Sequence, residues 1–140
     1  MLQIYTDAAT QNQTGPSGVG ILIIHQKQQI QLSIPLIKHY TNHQAEFIAQ
    51  IIAFKYIYQK FKNYDELLLF HTDSKIVAQT IGKNHATANF ADLYQDLQGY
   101  YAQANAFCKW IPESQNKGAD NLAKQALAKA LQGQTNNYGY

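Results

Sequence analysis

The stretch Gln44-Ala-Glu-Phe-Ile-Ala-Gln-Ile-Ile-Ala-Phe-Lys-Tyr-Ile-Tyr-Gln-Lys60 decides how the rest of the chain is read. Phe47, Ile51, Phe54, Tyr58 and Phe61 recur at helical spacing, and Ile48 and Ile52 widen the apolar stripe. Thr41-Asn42, just ahead, offers an N-cap. So broad an apolar face needs a sheet beneath it.

The flanking sequence supplies that sheet. Leu2, Ile4 and Thr6 alternate with Gln3 and Tyr5, a strand that ends at Asp7-Ala8-Ala9. Thr10 to Ser17 is a polar turn around Gly15-Pro16, and Gly18 to Ile24 reads as a buried strand. Gln28 to Leu36 alternates Ile30, Leu32 and Ile34 with polar partners, completing an antiparallel meander. After the helix come a fourth strand (Asp65 to Thr72), a short helix (Ser74 to Ile81) and a brief connection (Gly82 to Ala88). An amphipathic helix (Phe90 to Ala104), a fifth strand (Ala106 to Ile111, stopped by Pro112) and a final helix (Asn116 to Leu131) follow. The order is βββαβααβα: an α/β fold with a mixed five-stranded sheet and helices on both faces. One domain is expected over residues 1–132, with 133–140 as a disordered tail.

Composition narrows the function classes. Apolar residues make up 46% of 140, but the longest apolar runs, Gly18 to Ile24 and Leu67 to Phe70, are far too short to cross a bilayer. The start of the chain lacks the basic and apolar regions of a signal peptide. A single cysteine, Cys108, excludes a disulfide framework and a Cys-rich zinc site, so a reducing cytoplasm is expected. Eleven Lys, no Arg and nine acids leave a net charge of +2. That is too mild to mark a nucleic-acid surface, and any phosphate contact must come from Lys, amides or backbone N–H groups. Gln and Asn fill 28 positions, so amides solvate the surface where charges usually would. The acids are scarce, and their positions carry information.

Four of them stand at element boundaries. Asp7 closes the first strand, Glu46 sits in the first turn of the long helix, Asp73 closes the fourth strand and Asp120 lies early in the last helix. Each has a structural explanation by itself: a turn for Asp7, an N-cap for Asp73, complement to a helix dipole for Glu46 and Asp120. Together they suggest more, because ligands of open α/β sheets bind at the carboxyl ends of strands near a switch in strand order. Four carboxylates gathered there repel unless cations lie between them, and oxygen-only ligands suit Mg²⁺ or Mn²⁺. Two such ions are the usual apparatus of in-line phosphoryl transfer.

Tyr5-Thr-Asp7-Ala-Ala, Gly15-Pro-Ser-Gly18-Val-Gly, Thr41-Asn-His-Gln-Ala-Glu46, His71-Thr-Asp73-Ser74, Trp110-Ile-Pro and Asn116-Lys-Gly-Ala-Asp120-Asn-Leu-Ala, in this order, resemble type 1 ribonuclease H. The resemblance runs from Leu2 to about Leu131 and implies a metal-dependent endonuclease that cuts the RNA strand of RNA–DNA hybrids. It assigns Asp7 to both of two Mg²⁺ ions, Glu46 and Asp73 to the nucleophile side and Asp120 to the leaving-group side. Thr41, Asn42 and His43 are similar to the segment that reads 2′-hydroxyls, and Asn116 falls at a matching amide position. An amide both donates and accepts, as a 2′-hydroxyl does.

The chain also departs from the family. The loop before the last helix, Glu113-Ser114-Gln115, has no His where many relatives carry one, and Glu113 is a substitute or a solvated acid. The Gly82 to Ala88 connection, with only Lys83 and His85, lacks the basic insertion of some relatives. A catalytically silent or very slow nucleic-acid-binding module is therefore the rival expectation. The expected partner is an RNA–DNA hybrid, with no membrane and no obligate protein partner, and the protein is expected to be a monomer. Tyr5, Trp110 and the Phe/Tyr stripes are expected in the core, His71 as a packed or edge residue and Cys108 as an inert, packed thiol.

Overall fold

The computed structural model describes residues 1–62, 64–83 and 90–140. Its elements are β1 (Leu2–Thr10), β2 (Thr14–Gly15), β3 (Ser17–His25), β4 (Gln28–Pro35), β5 (Tyr40–Thr41), α1 (Asn42–Lys60), β6 (Leu68–Thr72), α2 (Lys75–Lys83), α3 (Ala91–Gln103), β7 (Ala106–Trp110) and α4 (Lys117–Leu131). The main sheet has five strands in the order β4-β3-β1-β6-β7, and β2 and β5 form a small separate ladder. The fold class is the expected one. Of the expected Gly82 to Ala88 connection, Gly82 and Lys83 belong to α2; residues 84–89, His85 among them, lie outside the described residues.

β1 is the centre of the sheet. It runs antiparallel to β3 along its whole length and parallel to β6 only from Leu2 to Thr6, where Thr6 meets Thr72. β1 does not end at Asp7 as the sequence suggests; Asp7 pairs with Gly20, and the antiparallel ladder continues to Thr10 opposite Ser17. The parallel ladder stops at Thr6 and the antiparallel one goes on, so Asp7 stands where β1 and β6 part, at the switch between the antiparallel and parallel halves of the sheet. That is the position where α/β sheets place ligands.

α1 packs on one face of this sheet. Thr41 caps it: Thr41 Oγ1 accepts from the Gln44 N–H at 3.1 Å, and Gln44 Oε1 accepts from the Thr41 N–H at 2.9 Å. Phe47, Ile48, Ile51, Ile52, Phe54 and Ile57 are fully buried against Leu2, Ile4, Ile21, Ile23 and Phe70. Each such side chain contributes about 1.5–3 kcal/mol relative to exposure. Ala45, Ala49 and Ala53 are buried too, so α1 is enclosed on more sides than a single stripe requires. α3 covers its outer side, with Phe54 stacked on Tyr100 at 5.2 Å and edge-on to Tyr101 at 5.1 Å.

α4 crosses the opposite face over β3 and β1, and its approach is very close. A Cβ on Gly18 would collide with the backbone of Ala126 and Leu127, and one on Gly20 with the backbone of Ala119 and Ala123. Only glycine allows the helix to sit there.

The segment after α4, expected to be disordered, is docked. Asn136 Nδ2 donates to the Pro35 carbonyl at 2.7 Å, the Ile37 N–H donates to the Tyr140 carbonyl at 2.6 Å, and the Tyr140 hydroxyl donates to Asp96 Oδ2 at 3.0 Å. The Lys55 ammonium lies 5.0 Å from the centre of the Tyr140 ring. The polar composition of residues 133–140 hides two aromatic anchors, Tyr138 and Tyr140, both packed against the core. Gly139, at φ +87°, provides the left-handed turn between them.

Candidate active site

The strand ends place the acids. Asp7 is only 6% exposed, and its Oδ1 accepts the Ala8 N–H at 2.9 Å. Glu46, 4% exposed, comes from α1, and Asp73 follows β6 directly. These three each present a carboxylate oxygen within 4.8 Å of the others'. One Glu46 oxygen is buried with no hydrogen-bond partner among the described residues.

Burial pushes the Asp7 carboxyl up to about 7, with the charges of Asp73 and Asp120 adding to the effect and a hydrogen bond from Glu46 opposing it. Glu46 is held well above the usual carboxylate range by burial first, then by Asp7. Asp73 is raised by burial first, with Glu113 and Asp120 contributing, while the Asn116 amide lowers it. The three carboxylates, gathered within 4.8 Å of one another, form an oxygen-only donor set of the kind that suits a hard divalent ion. The residues therefore fit Mg²⁺ or Mn²⁺.

Structural explanations hold for some of the acids and fail for others. The expected N-cap role of Asp73 belongs to Ser74, whose Oγ accepts the Val77 N–H at 3.2 Å. Glu46 lies beyond the first turn of α1, which begins at Asn42 and has no acid, so it does not answer the helix dipole. Asp120 is in the first turn of α4 and pairs with Lys124 at 3.0 Å. It stands outside the group of three carboxylates, although its charge reaches both Asp7 and Asp73.

The amides expected to read substrate separate into two groups. Asn42 and His43 are exposed at the start of α1 and line a cleft of about 250 Å³ with Glu46, Asp73, Ser74, Lys75 and Ile76. Thr41 is occupied in capping α1. Asn116 is buried, and its amide nitrogen donates to the Thr6 carbonyl at 2.9 Å and to Asp73 Oδ2 at 3.4 Å. Glu113 is exposed on a single 3₁₀ turn, Glu113–Gln115.

Trp110 corrects an expectation. It is 43% exposed rather than in the core, its Nε1 donates to the Asp73 carbonyl at 3.2 Å, and the Lys75 ammonium lies 5.6 Å from its ring centre. Trp110 is the last residue of the edge strand β7. Tyr5 is half-buried and stacks on the buried His71 ring at 4.3 Å. Cys108 is packed: its Sγ accepts from Gln50 Nε2 at 3.4 Å, and burial pushes the thiol up.

Comparison with known proteins identifies the family. The family model described as RNase H matches residues 1–128. The chain is 44% identical over 134 residues to "Putative hydrolase EbsB" of Enterococcus faecalis, covering 92% of this chain and 96% of that protein. It is 25% identical over 142 residues to "Ribonuclease H" of Photorhabdus laumondii, covering 89% and 87%. Among solved structures, LC11-RNase H1 in complex with an RNA/DNA hybrid shares the fold at a TM-score of 0.81 and 22% identity, covering 94% of this chain and 99% of that one. No helix among the described residues is long and apolar enough to cross a membrane. The chain belongs to the RNase H family.

Proposed function

We propose that the protein is a metal-dependent endonuclease that hydrolyses the RNA strand of RNA–DNA hybrids, acting as a cytoplasmic monomer. The observation that carries this is the convergence of the Asp7, Glu46 and Asp73 carboxylates at the switch point of the sheet. Asp7, Glu46 and Asp73 would hold one divalent cation, and Asp7 and Asp120 a second. Bound there, Mg²⁺ or Mn²⁺ would make water nucleophilic at neutral pH and stabilise the departing 3′-oxygen, giving 5′-phosphate and 3′-hydroxyl ends.

The chain's own residues prepare that chemistry. Burial raises the Asp7 and Glu46 carboxyls, so a cation held there would displace protons from them. Burial of both acids excludes bulk water and strengthens their hold on an ion. Asn42 and His43, which line the same cleft, would meet a 2′-hydroxyl beside the scissile phosphate. These contacts go to backbone and sugar, so cleavage has little sequence preference. The complex of LC11-RNase H1 with a hybrid supports the same substrate class.

The silent-module reading has one observation in its favour: Asp120 is paired with Lys124 rather than joined to the other acids. A labelled hybrid incubated with Mg²⁺ or Mn²⁺ tests the proposal. RNA-strand cleavage that EDTA abolishes supports it, and binding without cleavage favours the silent module.

A further inference from the structure

We infer that Asn116 is a positioning residue for the metal-binding acids, clamping the Asp73 carboxylate to the end of β1, and that it does not read substrate. This rests on the proposed metal binding by those acids.

Asn116 is 1% exposed, so its amide cannot reach a duplex outside. Its Nδ2 faces two oxygens, the Thr6 carbonyl and Asp73 Oδ2, at 2.9 and 3.4 Å. Both are acceptors, which fixes the nitrogen end of the amide and commits both of its hydrogens. Oδ1 remains as a buried acceptor without a partner among the described residues, the kind of group that holds an ordered water.

The position of those two oxygens gives the bridge its meaning. Thr6 pairs with Thr72 in the last rung of the parallel ladder, and Asp7 and Asp73 are the residues immediately beyond that rung. The ladder no longer sets their separation. One amide joined to the Thr6 carbonyl and to the Asp73 side chain sets it instead. The Asn116 backbone is committed as well: its carbonyl accepts the Asp120 N–H at 3.0 Å, and its N–H donates to the Glu113 carbonyl at 2.9 Å. A single residue thus references Asp7, Asp73 and the first turn of α4 to one another. Outer-shell partners of this kind orient metal ligands, and their loss typically costs 10–100-fold in metal affinity.

The test measures Mn²⁺ binding to the full chain, by the electron-paramagnetic-resonance signal of free Mn²⁺ and by thermal unfolding with and without the ion. Wild type is compared with Asn116→Ala, Asn116→Ser and Ser33→Ala. Ser33 Oγ donates to the Leu122 carbonyl at 2.7 Å, so Ser33→Ala loosens α4 from β4 without touching an acid. The expected result is Mn²⁺ affinity at least about tenfold weaker in Asn116→Ala, partly recovered in Asn116→Ser, and unchanged in Ser33→Ala despite a lower melting temperature. If Asn116→Ala does not fold, Asn116→Ser, with one donor left, must still bind Mn²⁺ more weakly than wild type. Wild-type affinity in the Asn116 variants would overturn the positioning role alone, as would an equal loss in Ser33→Ala. Failure of wild type itself to bind Mn²⁺ would overturn the metal reading and this inference with it.

Discussion

Asp7 and Glu46, two buried acids, each present a carboxylate oxygen within 4.8 Å of the other's at the switch point of the sheet, and burial raises both carboxyls. The consequence for stability has a definite sign. Burial pushes the Asp7 carboxyl up to about 7 from an ordinary 3.8, so between those values the folded state holds a proton that the unfolded state has released. Stability from that proton is complete below about pH 4 and is lost as pH rises through about 7. Glu46 and Asp73 are raised as well and act in the same direction. Calorimetry in EDTA should therefore show a melting temperature that declines toward pH 8, and saturating Mg²⁺ should flatten the decline. A metal-free protein that gains stability over this range would contradict the arrangement.

Replacing Asp7 by Asn separates chemistry from folding. The amide keeps the shape but removes a charge that the site pays to bury. Metal-free Asp7→Asn should melt about 3 °C or more above wild type at pH 8, equivalent to about 1 kcal/mol. Hybrid cleavage should fall by about a thousandfold or more, or about 4 kcal/mol in the barrier. Near-wild-type turnover would remove Asp7 from the site.

Gly20→Ala probes the seat of α4. The added methyl would collide with the backbone of Ala119 and Ala123, so the helix must lift from β3. Overpacking of this kind costs about 1–3 kcal/mol. Because Asn116 and Asp120 move with α4, Mn²⁺ affinity should fall along with the melting temperature. An unchanged melting temperature would show that α4 can yield locally.

Removing residues 134–140 should destabilise without touching the chemistry. Tyr138 and Tyr140 lose partial burial, and the bonds of Asn136 and Tyr140 to Pro35, Ile37 and Asp96 disappear. A loss of about 2–3 kcal/mol follows from the aromatic burial alone, and Mn²⁺ affinity should stay at the wild-type value. Stability equal to that of the full chain would mean the segment is not held in solution.

The main elements were legible because period and burial coincide in them: the α1 stripe, the meander and the Ala-rich α4 each follow one repeat. The acids were legible because they are few, and Asp73 and Asp120 fall at element ends, whereas Asp7 lies inside β1 and Glu46 beyond the first turn of α1. What escaped depends on three-dimensional closeness. Asn116 sits 110 residues from Thr6 in sequence, and no spacing marks their bond. The tail looks polar by composition, yet two tyrosines with a glycine between them anchor it. Trp110 shares the aromatic character of the core, and only its place at the end of an edge strand exposes it. Asp120 matches the family motif in sequence, while in space it pairs with Lys124 and stands outside the group of the other three acids.

Cleavage of an RNA–DNA hybrid carrying a labelled RNA strand, beside an RNA duplex and a DNA duplex of the same sequence, tests the central claim most directly. With Mg²⁺ or Mn²⁺ the RNA strand of the hybrid should be cut to fragments with 5′-phosphate ends, both other duplexes should stay intact, and EDTA or Asp73→Asn should stop the reaction. An intact hybrid in the presence of Mn²⁺ that demonstrably binds the wild-type protein would contradict it.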